Sequence, residues 1–320
     1  MTRSLPRSGF FALLAALNWQ CAGLDQGPAA PLTHSFFLAG STTCIRSFTP
    51  GGPAEGTLSW SHPLGTRDGF VLPDGNLLLV ISRGQEGFPG GGVIEVTRAN
   101  EVVWEYVGQQ EEVCSGQKTA SGTYVLTESG PEPRLLELDS AGKVLVRFLL
   151  DCQIPNAHMQ TRMARKLADG SYLVPHLLDF AVKQYDRNGK VLQVLDTRGS
   201  DAAGQPLENW PFTAIRLASG NTLVGLTHGN AVAEFDAAGR KVWEVSNADV
   251  GGIIQDACGV QRLPNGNTVV TSYAAGAGEV NLWEVTPDKR LVWTWRGPGH
   301  VHEFQILDTN GRPLQGPAMK

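Results

Sequence analysis

Short apolar runs alternate with polar positions along most of the chain, and each run ends in a tight turn. Leu72-Pro73-Asp74-Gly75-Asn76-Leu77-Leu78-Leu79-Val80 is matched by Leu217-Ala218-Ser219-Gly220-Asn221-Thr222-Leu223-Val224 and by Leu263-Pro264-Asn265-Gly266-Asn267-Thr268-Val269-Val270. Leu167-Ala168-Asp169-Gly170-Ser171-Tyr172-Leu173-Val174 is a weaker copy. An apolar strand, a turn in which glycine supplies φ > 0 and a second strand rich in β-branched and apolar residues make a hairpin. About twenty residues later each unit carries a second alternating pair. Examples are Val93-Ile94-Glu95-Val96 with Val102-Val103-Trp104-Glu105-Tyr106, and Leu282-Trp283-Glu284-Val285 with Leu291-Val292-Trp293-Thr294-Trp295. The period of two predicts half-buried strands, and no stretch beyond the N-terminus shows a sustained 3.6-residue period.

The turn glycines Gly75, Gly122, Gly170, Gly220, Gly266 and Gly311 stand 47, 48, 50, 46 and 45 residues apart. Four strands in a unit of this length predict a propeller blade. The chain is therefore expected to be all-β, a six-bladed β-propeller of four-stranded antiparallel blades over residues 35–312. Its ends fit that reading. His302-Glu303-Phe304-Gln305-Ile306-Leu307 reads as a first strand with no blade after it. Phe36-Phe37-Leu38-Ala39, Cys44-Ile45-Arg46-Ser47-Phe48 and Leu58-Ser59-Trp60 read as a blade lacking its first strand. Pairing the N- and C-terminal segments would close the ring and remove two exposed sheet edges.

The first residues differ in character. Arg3 and Arg7 precede Phe10-Phe11-Ala12-Leu13-Leu14-Ala15-Ala16-Leu17, a basic segment and then an apolar core, as in a secretory signal. Residues 1–23 are expected to be a signal peptide cut after Gly23, 24–34 a linker and 313–320 a C-terminal tail. The protein is expected to be exported, to the periplasm or the extracellular space. Anchoring through a lipid on Cys21 is disfavoured by Trp19 and Gln20 before it. A net charge of −5 argues against nucleic acid as a partner. No apolar run is long enough for a transmembrane helix. A monomer is expected. Cys44, Cys114, Cys152 and Cys258 match no metal-binding spacing and read as buried free thiols, although an exported protein permits disulfides among them.

The topology sorts candidate chemistry by face. The regular Asp-Gly and Asn-Gly turns fall on one face, and the longer, irregular links fall on the other, where binding residues are usually displayed. His62, His158, His300 and His302 lie in or beside inter-blade links, and His176 and His228 lie where a second strand ends; only His34 falls elsewhere. Aligned first strands place Arg67, Cys114, Arg162, Phe212, Cys258 and His302 at one position of the six units. Asp68, Ser115, Met163, Thr213, Gly259 and Glu303 follow one residue later, and Gln117, Gln261 and Gln305 recur further along. These rings are expected to line the mouth and wall of a central channel, with Asn156, Gln160, Trp210, Asp256 and Tyr273 nearby. The candidate ligand-binding set is therefore Arg67, Asp68, Gln117, His158, Gln160, Arg162, His176, Trp210, His228, Asp256, Gln261, His300, His302, Glu303 and Gln305. A metal held by His158, His300 and His302 is disfavoured, because residues i and i+2 point to opposite sides of an extended strand. Trp104, Trp243 and Trp293 recur at one strand position and read as blade packing. No nucleophile elbow, P-loop, dinucleotide fingerprint or zinc-protease motif is present.

Glu234-Phe235-Asp236-Ala237-Ala238-Gly239-Arg240-Lys241-Val242-Trp243 resembles the quinoprotein-type (PQQ-like) repeat. Leu263-Pro264-Asn265-Gly266-Asn267-Thr268 and His302-Glu303-Phe304-Gln305-Ile306-Leu307 are similar to arylsulfotransferase-like propellers. The quinoprotein resemblance implies a propeller. Quinone enzymes of that kind have eight blades and an acidic metal site, so six units without an adjacent-cysteine pair or acidic cluster predict no bound quinone (PQQ). Neither metal nor other cofactor is expected. The arylsulfotransferase resemblance implies a channel histidine as transient sulfate acceptor between cationic groups. His158 or His302 would take that role, with Arg67 and Arg162 as the cations. The first functional expectation is a propeller binding a small polar or anionic ligand, a glycan or a protein on its histidine-rich face. The alternatives are a transferase or lyase using His158, His302 or Arg162, and a protein-interaction scaffold.

Overall fold

The computed structural model describes Met1 and residues 31–49, 51–316 and 318–320. The expected signal segment beyond Met1 and most of the expected linker lie outside the described residues. Contacts group the chain into Met1–Pro31 and Leu32–Lys320. The second unit is a ring of six four-stranded antiparallel blades, a six-bladed β-propeller.

Blade one comprises Thr66–Val71, Leu77–Ile81, Gly92–Val96 and Val102–Val107. Blade two comprises Glu112–Lys118, Tyr124–Ser129, Arg134–Leu138 and Val144–Leu149. Blade three runs through Arg165–Lys166, Tyr172–His176, Ala181–Tyr185 and Val191–Asp196. Blade four runs through Pro211–Arg216, Thr222–Leu226, Ala231–Phe235 and Lys241–Ser246. Blade five holds Ala257–Arg262, Thr268–Ser272, Val280–Val285 and Leu291–Arg296. Blade six is composite: Val301–Thr309 from the C-terminal part pairs with His34–Gly40, followed by Thr43–Ser47 and Thr57–His62. The closing register sets Phe37 opposite Gln305 and Leu38 opposite Phe304. A short strand, Arg312–Pro313, extends this sheet on its inner edge.

All six turn glycines have φ between 73° and 91°, the left-handed region that disfavours a Cβ. The residue after the glycine has a second task. Asn76, Asn221 and Asn267 donate to Glu95, Glu234 and Glu284 on the third strand of their own blades, at 2.8, 2.7 and 2.6 Å. Thr123 donates to Glu137 at 2.6 Å, and Ser171 accepts from Gln184 at 2.8 Å. Each of these third-strand groups also takes a donor from the next blade. Lys118 bonds Glu95, Lys166 bonds Glu137, Arg216 bonds Gln184, Arg262 bonds Glu234 and His34 bonds Glu284. Five blade junctions thus carry one polar staple at one height, each satisfied from both sides as burial requires.

Apolar side chains fill most of each junction. Leu78, Val80, Val93 and Trp104 of blade one pack with Tyr124, Leu126, Leu136 and Leu138 of blade two. Trp104 stacks on Tyr124 with centroids 3.7 Å apart, as expected for packing residues at that position. Five further clusters of the same kind fill the other junctions. The outermost strands alternate exposed and buried positions, which is the polar–apolar pattern read from the sequence. Cys44, Cys114, Cys152 and Cys258 are buried and unpaired. Among the described residues no helix is long and apolar enough to cross a membrane.

The last residues of the C-terminal segment enter the ring. Arg262 N donates to Met319 O at 3.1 Å, and Lys320 is 3% exposed inside the channel. Lys320 Nζ donates to Gly69 O at 2.8 Å and lies 3.5 Å from Asp68 and 3.6 Å from Glu303. Arg165 adds bonds of 2.7 and 3.1 Å to Asp68. Asp68 and Glu303 therefore sit in a closed ionic layer below the channel mouth.

Candidate functional site

The cavity at the mouth of the channel is built from the first residues of the innermost strands, the links before them and the bends that follow the second strands. Arg67, Arg162, Phe212, Cys258 and His302, five members of one aligned ring, line it together with His158, Met159, Leu177, Trp210, Thr227, His228, Asp256 and Tyr273. Cys114, the sixth member, turns its thiol to Ser129 instead. The cavity has a volume of about 190 Å³. Sites for drug-sized ligands are usually ~300–1,000 Å³, so this one suits a small molecule or one end of a larger one.

The link from blade two to blade three supplies much of the wall. Asn156 accepts from His158 N and opens a single 3₁₀ turn, Ala157–Met159. Gln160, 2% exposed, bonds Gly130 N, Gly130 O and Ile154 O, which ties the link to blade two. His158 Nδ1 lies 3.0 Å from Glu112, and Arg67 Nη2 lies 2.6 Å from the same carboxylate. Burial opposes the charge on Glu112, but the bond from His158 and the charges of Arg67 and Arg162 outweigh it and hold the carboxyl at about 2. Glu112 carries no recurrent sequence signal, because it sits where a link enters its strand.

Arg162 is 2% exposed and bonds only to backbone: Nη1 donates to Thr161 O at 2.7 Å and Nη2 to His158 O. Burial, then the nearby charge of Arg67, lowers its pKa to about 10. Among the described residues Arg162 Nε, Arg67 Nε and Arg67 Nη1 are buried without a hydrogen-bond partner. Arg162 lies over Phe212 at 5.6 Å. His302 is stacked between Phe212 at 5.9 Å and Tyr273 at 4.3 Å, and its Nδ1 is unpartnered. Burial and the two arginines push its pKa well below the ordinary value, so the ring is neutral at pH 7. Trp210 packs against His228 in a tilted pair with centroids 3.9 Å apart and leaves Nε1 unpartnered. Asp256 is the one carboxylate in the lining; it is partly exposed and pairs with neither arginine.

Of the sequence-selected residues, Arg67, His158, Arg162, Trp210, His228, Asp256 and His302 converge on this cavity. The others are placed elsewhere. Asp68 and Glu303 belong to the ionic layer with Lys320. Gln117, Gln261 and Gln305 accept from Lys166 N, Ile306 N and Val71 N, bonds that join neighbouring blades. Gln160 is held in its link, and His300 is exposed with Nδ1 on Tyr273 O. His176 is fully buried behind the link, with Nε2 on Tyr185. Sequence reasoning missed Glu112, Met159, Leu177 and Thr227.

A family model described as Mal s 1 allergenic protein-like matches residues 90–269, more than half of the chain. The chain belongs to the Mal s 1 allergenic protein-like family. The family match spans blades two to four and most of the cavity's lining. No curated protein sequence matches the chain. Among solved structures, this Mal s 1-like propeller is similar to a protein of unknown function from Bacteroides caccae, at 18% identity and TM-score 0.70, over 85% of this chain and 98% of that one. A catalytically inactive virginiamycin B lyase from Staphylococcus aureus with quinupristin aligns at 10% identity and TM-score 0.55, over 82% and 84%. A nidogen/laminin complex aligns at 10% identity and TM-score 0.58, over 85% and 97%. At these identities the likeness shows the fold alone. The comparisons bear out the propeller of the sequence reading, not a quinoprotein-type or arylsulfotransferase-type relationship.

Proposed function

We propose that the protein binds a small anion, or the anionic end of a larger polar ligand, in the cavity at the channel mouth. The observation that carries this reading is Arg162: a guanidinium almost without solvent, bonded to two carbonyls and to no carboxylate among the described residues. Glu112, whose charge Arg162 feels, is already bonded to Arg67 and His158, so Arg162 is a buried charge with no counter-ion of its own, which is costly. A carboxylate, sulfate or phosphate group offers the missing charge and accepts from the free Nε–H groups of Arg162 and Arg67. Phe212, Tyr273 and Trp210 would flank a flat ligand, and Asp256 would accept from a hydroxyl. Thermal-shift titration of the wild type with paired aryl carboxylates, aryl sulfates and neutral aryl glycosides tests the reading. Anionic members should stabilise the protein and the effect should fade with salt; equal stabilisation by the neutral members would overturn it.

An enzymatic reading, a transferase or lyase, is favoured by one arrangement. Glu112 fixes His158 through Nδ1 and leaves Nε2 for the cavity, as a carboxylate orients a general base. His302, with its strongly lowered pKa, is a weak base. Turnover of a ligand found in the titration, lost in His158→Gln with binding kept, would establish that reading over simple binding.

A further inference from the structure

Behind the link that carries His158, three side chains of different chemistry meet. The sulfur of Cys152, a ring nitrogen of His176 and a carboxylate oxygen of Asp179 lie within 4.8 Å of one another. Cys152 stands at the start of the link, His176 ends the second strand of blade three, and Asp179 lies in the turn that follows. His176 Nδ1 is 3.5 Å from Asp179 Oδ2 and makes no hydrogen bond among the described residues, although His176 has no exposed surface. Such an orphan is rare and calls for a partner. The other ring nitrogen is fixed at 3.0 Å by the hydroxyl of Tyr185, the outer contact that sets a ligating histidine's orientation.

We propose that Cys152, His176 and Asp179 bind a divalent transition-metal ion, zinc in the first place. Thiolate, imidazole and carboxylate together form a donor set that zinc accepts, and three protein ligands leave a fourth position for water. The charges close. Lys183 Nζ bonds Asp179 at 2.9 Å and Asp151 O at 2.5 Å, and lies 3.3 Å from the Asp151 carboxylate. Binding releases the Cys152 proton to solvent. Zn²⁺ with the Cys152 thiolate, the two carboxylates and Lys183 then sums to zero. The ion has a route in: a surface groove of about 310 Å³ is lined by Asp151, Asp179, Lys183 and Arg198 and reaches the cluster on its Asp179 side. Bound there, the metal would clamp the beginning of the link to blade three and so hold His158 and Arg162 in register. The proposal does not depend on what the mouth cavity binds.

The test is calorimetric titration of metal-free full-length protein with zinc chloride at neutral pH, with Co²⁺ as a spectroscopic substitute. One zinc per chain is expected, and the cobalt form should show a thiolate-to-metal charge-transfer band in the near ultraviolet. Cys152→Ser should abolish that band and weaken zinc binding by well over about tenfold; Tyr185→Phe should keep the stoichiometry and weaken binding about tenfold. Cys44→Ser, a buried cysteine in blade six, should change neither. Asp179→Asn, at a half-buried position, serves as a second variant should Cys152→Ser lose its fold by circular dichroism. No zinc binding by the wild type, or zinc bound equally well by Cys152→Ser and Asp179→Asn, would overturn the proposal.

Discussion

His34 Nε2 lies 2.6 Å from Glu284 Oε2, and neither side chain has any exposed surface. His34 is the first residue of the strand that closes the ring, and Glu284 lies on the third strand of blade five. The pair repeats at the closing blade the staple that Lys118, Lys166 and Arg262 provide elsewhere. Removing His34 leaves a buried oxygen of Glu284 without its hydrogen-bond partner, which costs about 1–3 kcal/mol. His34→Ala should therefore reduce the unfolding free energy by that amount, read as a lower urea midpoint in a single transition that takes the whole ring with it. Partial unfolding confined to blade six would contradict a cooperative closure.

Glu112 ties acid stability to the cavity wall. Its carboxyl is held at about 2 in the fold, against 4.5 for an unperturbed glutamate. A lowered folded pKa contributes stability that is complete above about 4.5 and is lost as pH falls towards about 2. Glu112→Gln should be less stable than wild type at pH 7 by on the order of 3 kcal/mol, the shift converted at ~1.4 kcal/mol per unit. The gap should close between pH 4.5 and 2. Unfolding curves of both proteins across that range measure it, and a constant gap would refute the ion-pair origin.

Arg162 and His302 should separate binding from folding. Arg162→Met and His302→Ala are expected to weaken an anionic ligand by about 1.5–3 kcal/mol, roughly ten- to a hundredfold, as for a charge-assisted hydrogen bond. Asp74→Ala and Asn265→Ala, in the short turns of the other face, should leave affinity unchanged. Titration of all four against the ligand found by thermal shift makes the comparison. Equal losses in the two groups would show that the mouth residues do not form the site.

Lys320 is expected to matter for the stability of the ring rather than for its ligand. Burial raises the pKa of Glu303, and the Lys320 ammonium is the cation that counters this most. Lys320→Met should destabilise by about 3 kcal/mol, the scale for breaking a buried pair. Glu303→Gln in that background should restore part of the loss, because the stranded carboxylate is gone. Urea unfolding of the two variants decides this; no recovery in the double variant would mean that Lys320 acts by packing alone.

The ring was legible because its determinants are local and repeated. A turn glycine every 45–50 residues and alternating strands on both sides of it fix blade length, blade number and the closing strand. The staple was present in the sequence too, as Glu95, Glu137, Glu234 and Glu284 at one strand position. An acidic residue in an alternating strand reads as solvent-facing unless its partners in the next blade are known. The aligned first strands brought Arg67, Arg162, Phe212, Cys258 and His302 to one level, so part of the cavity could be read from register. What escaped came from segments without a repeat. Glu112 enters from a link, Lys320 arrives from the far end of the chain, and Cys152, His176 and Asp179 meet across a bend with no motif spacing. Gln117, Gln261 and Gln305 share a register position but bond to backbone in adjacent blades. Periodicity tells which level a residue occupies, not what it bonds.

The composite sixth blade has a consequence for the order in which the protein is made. Five blades are contiguous in sequence, so each can pair its strands soon after it leaves the ribosome. The strand His34–Gly40 is made before these five blades, yet its inner neighbour, Val301–Thr309, is made after them; their contacts span as many as 275 residues. Throughout synthesis the apolar run Phe36, Phe37 and Leu38 therefore waits with one strand edge open. Few contacts in the molecule are as costly to search for, because ring closure joins residues that no local structure brings together. The nascent chain should be most vulnerable to misassociation in this interval, and a strand supplied in trans, from a second copy or a chaperone, would find its docking edge there.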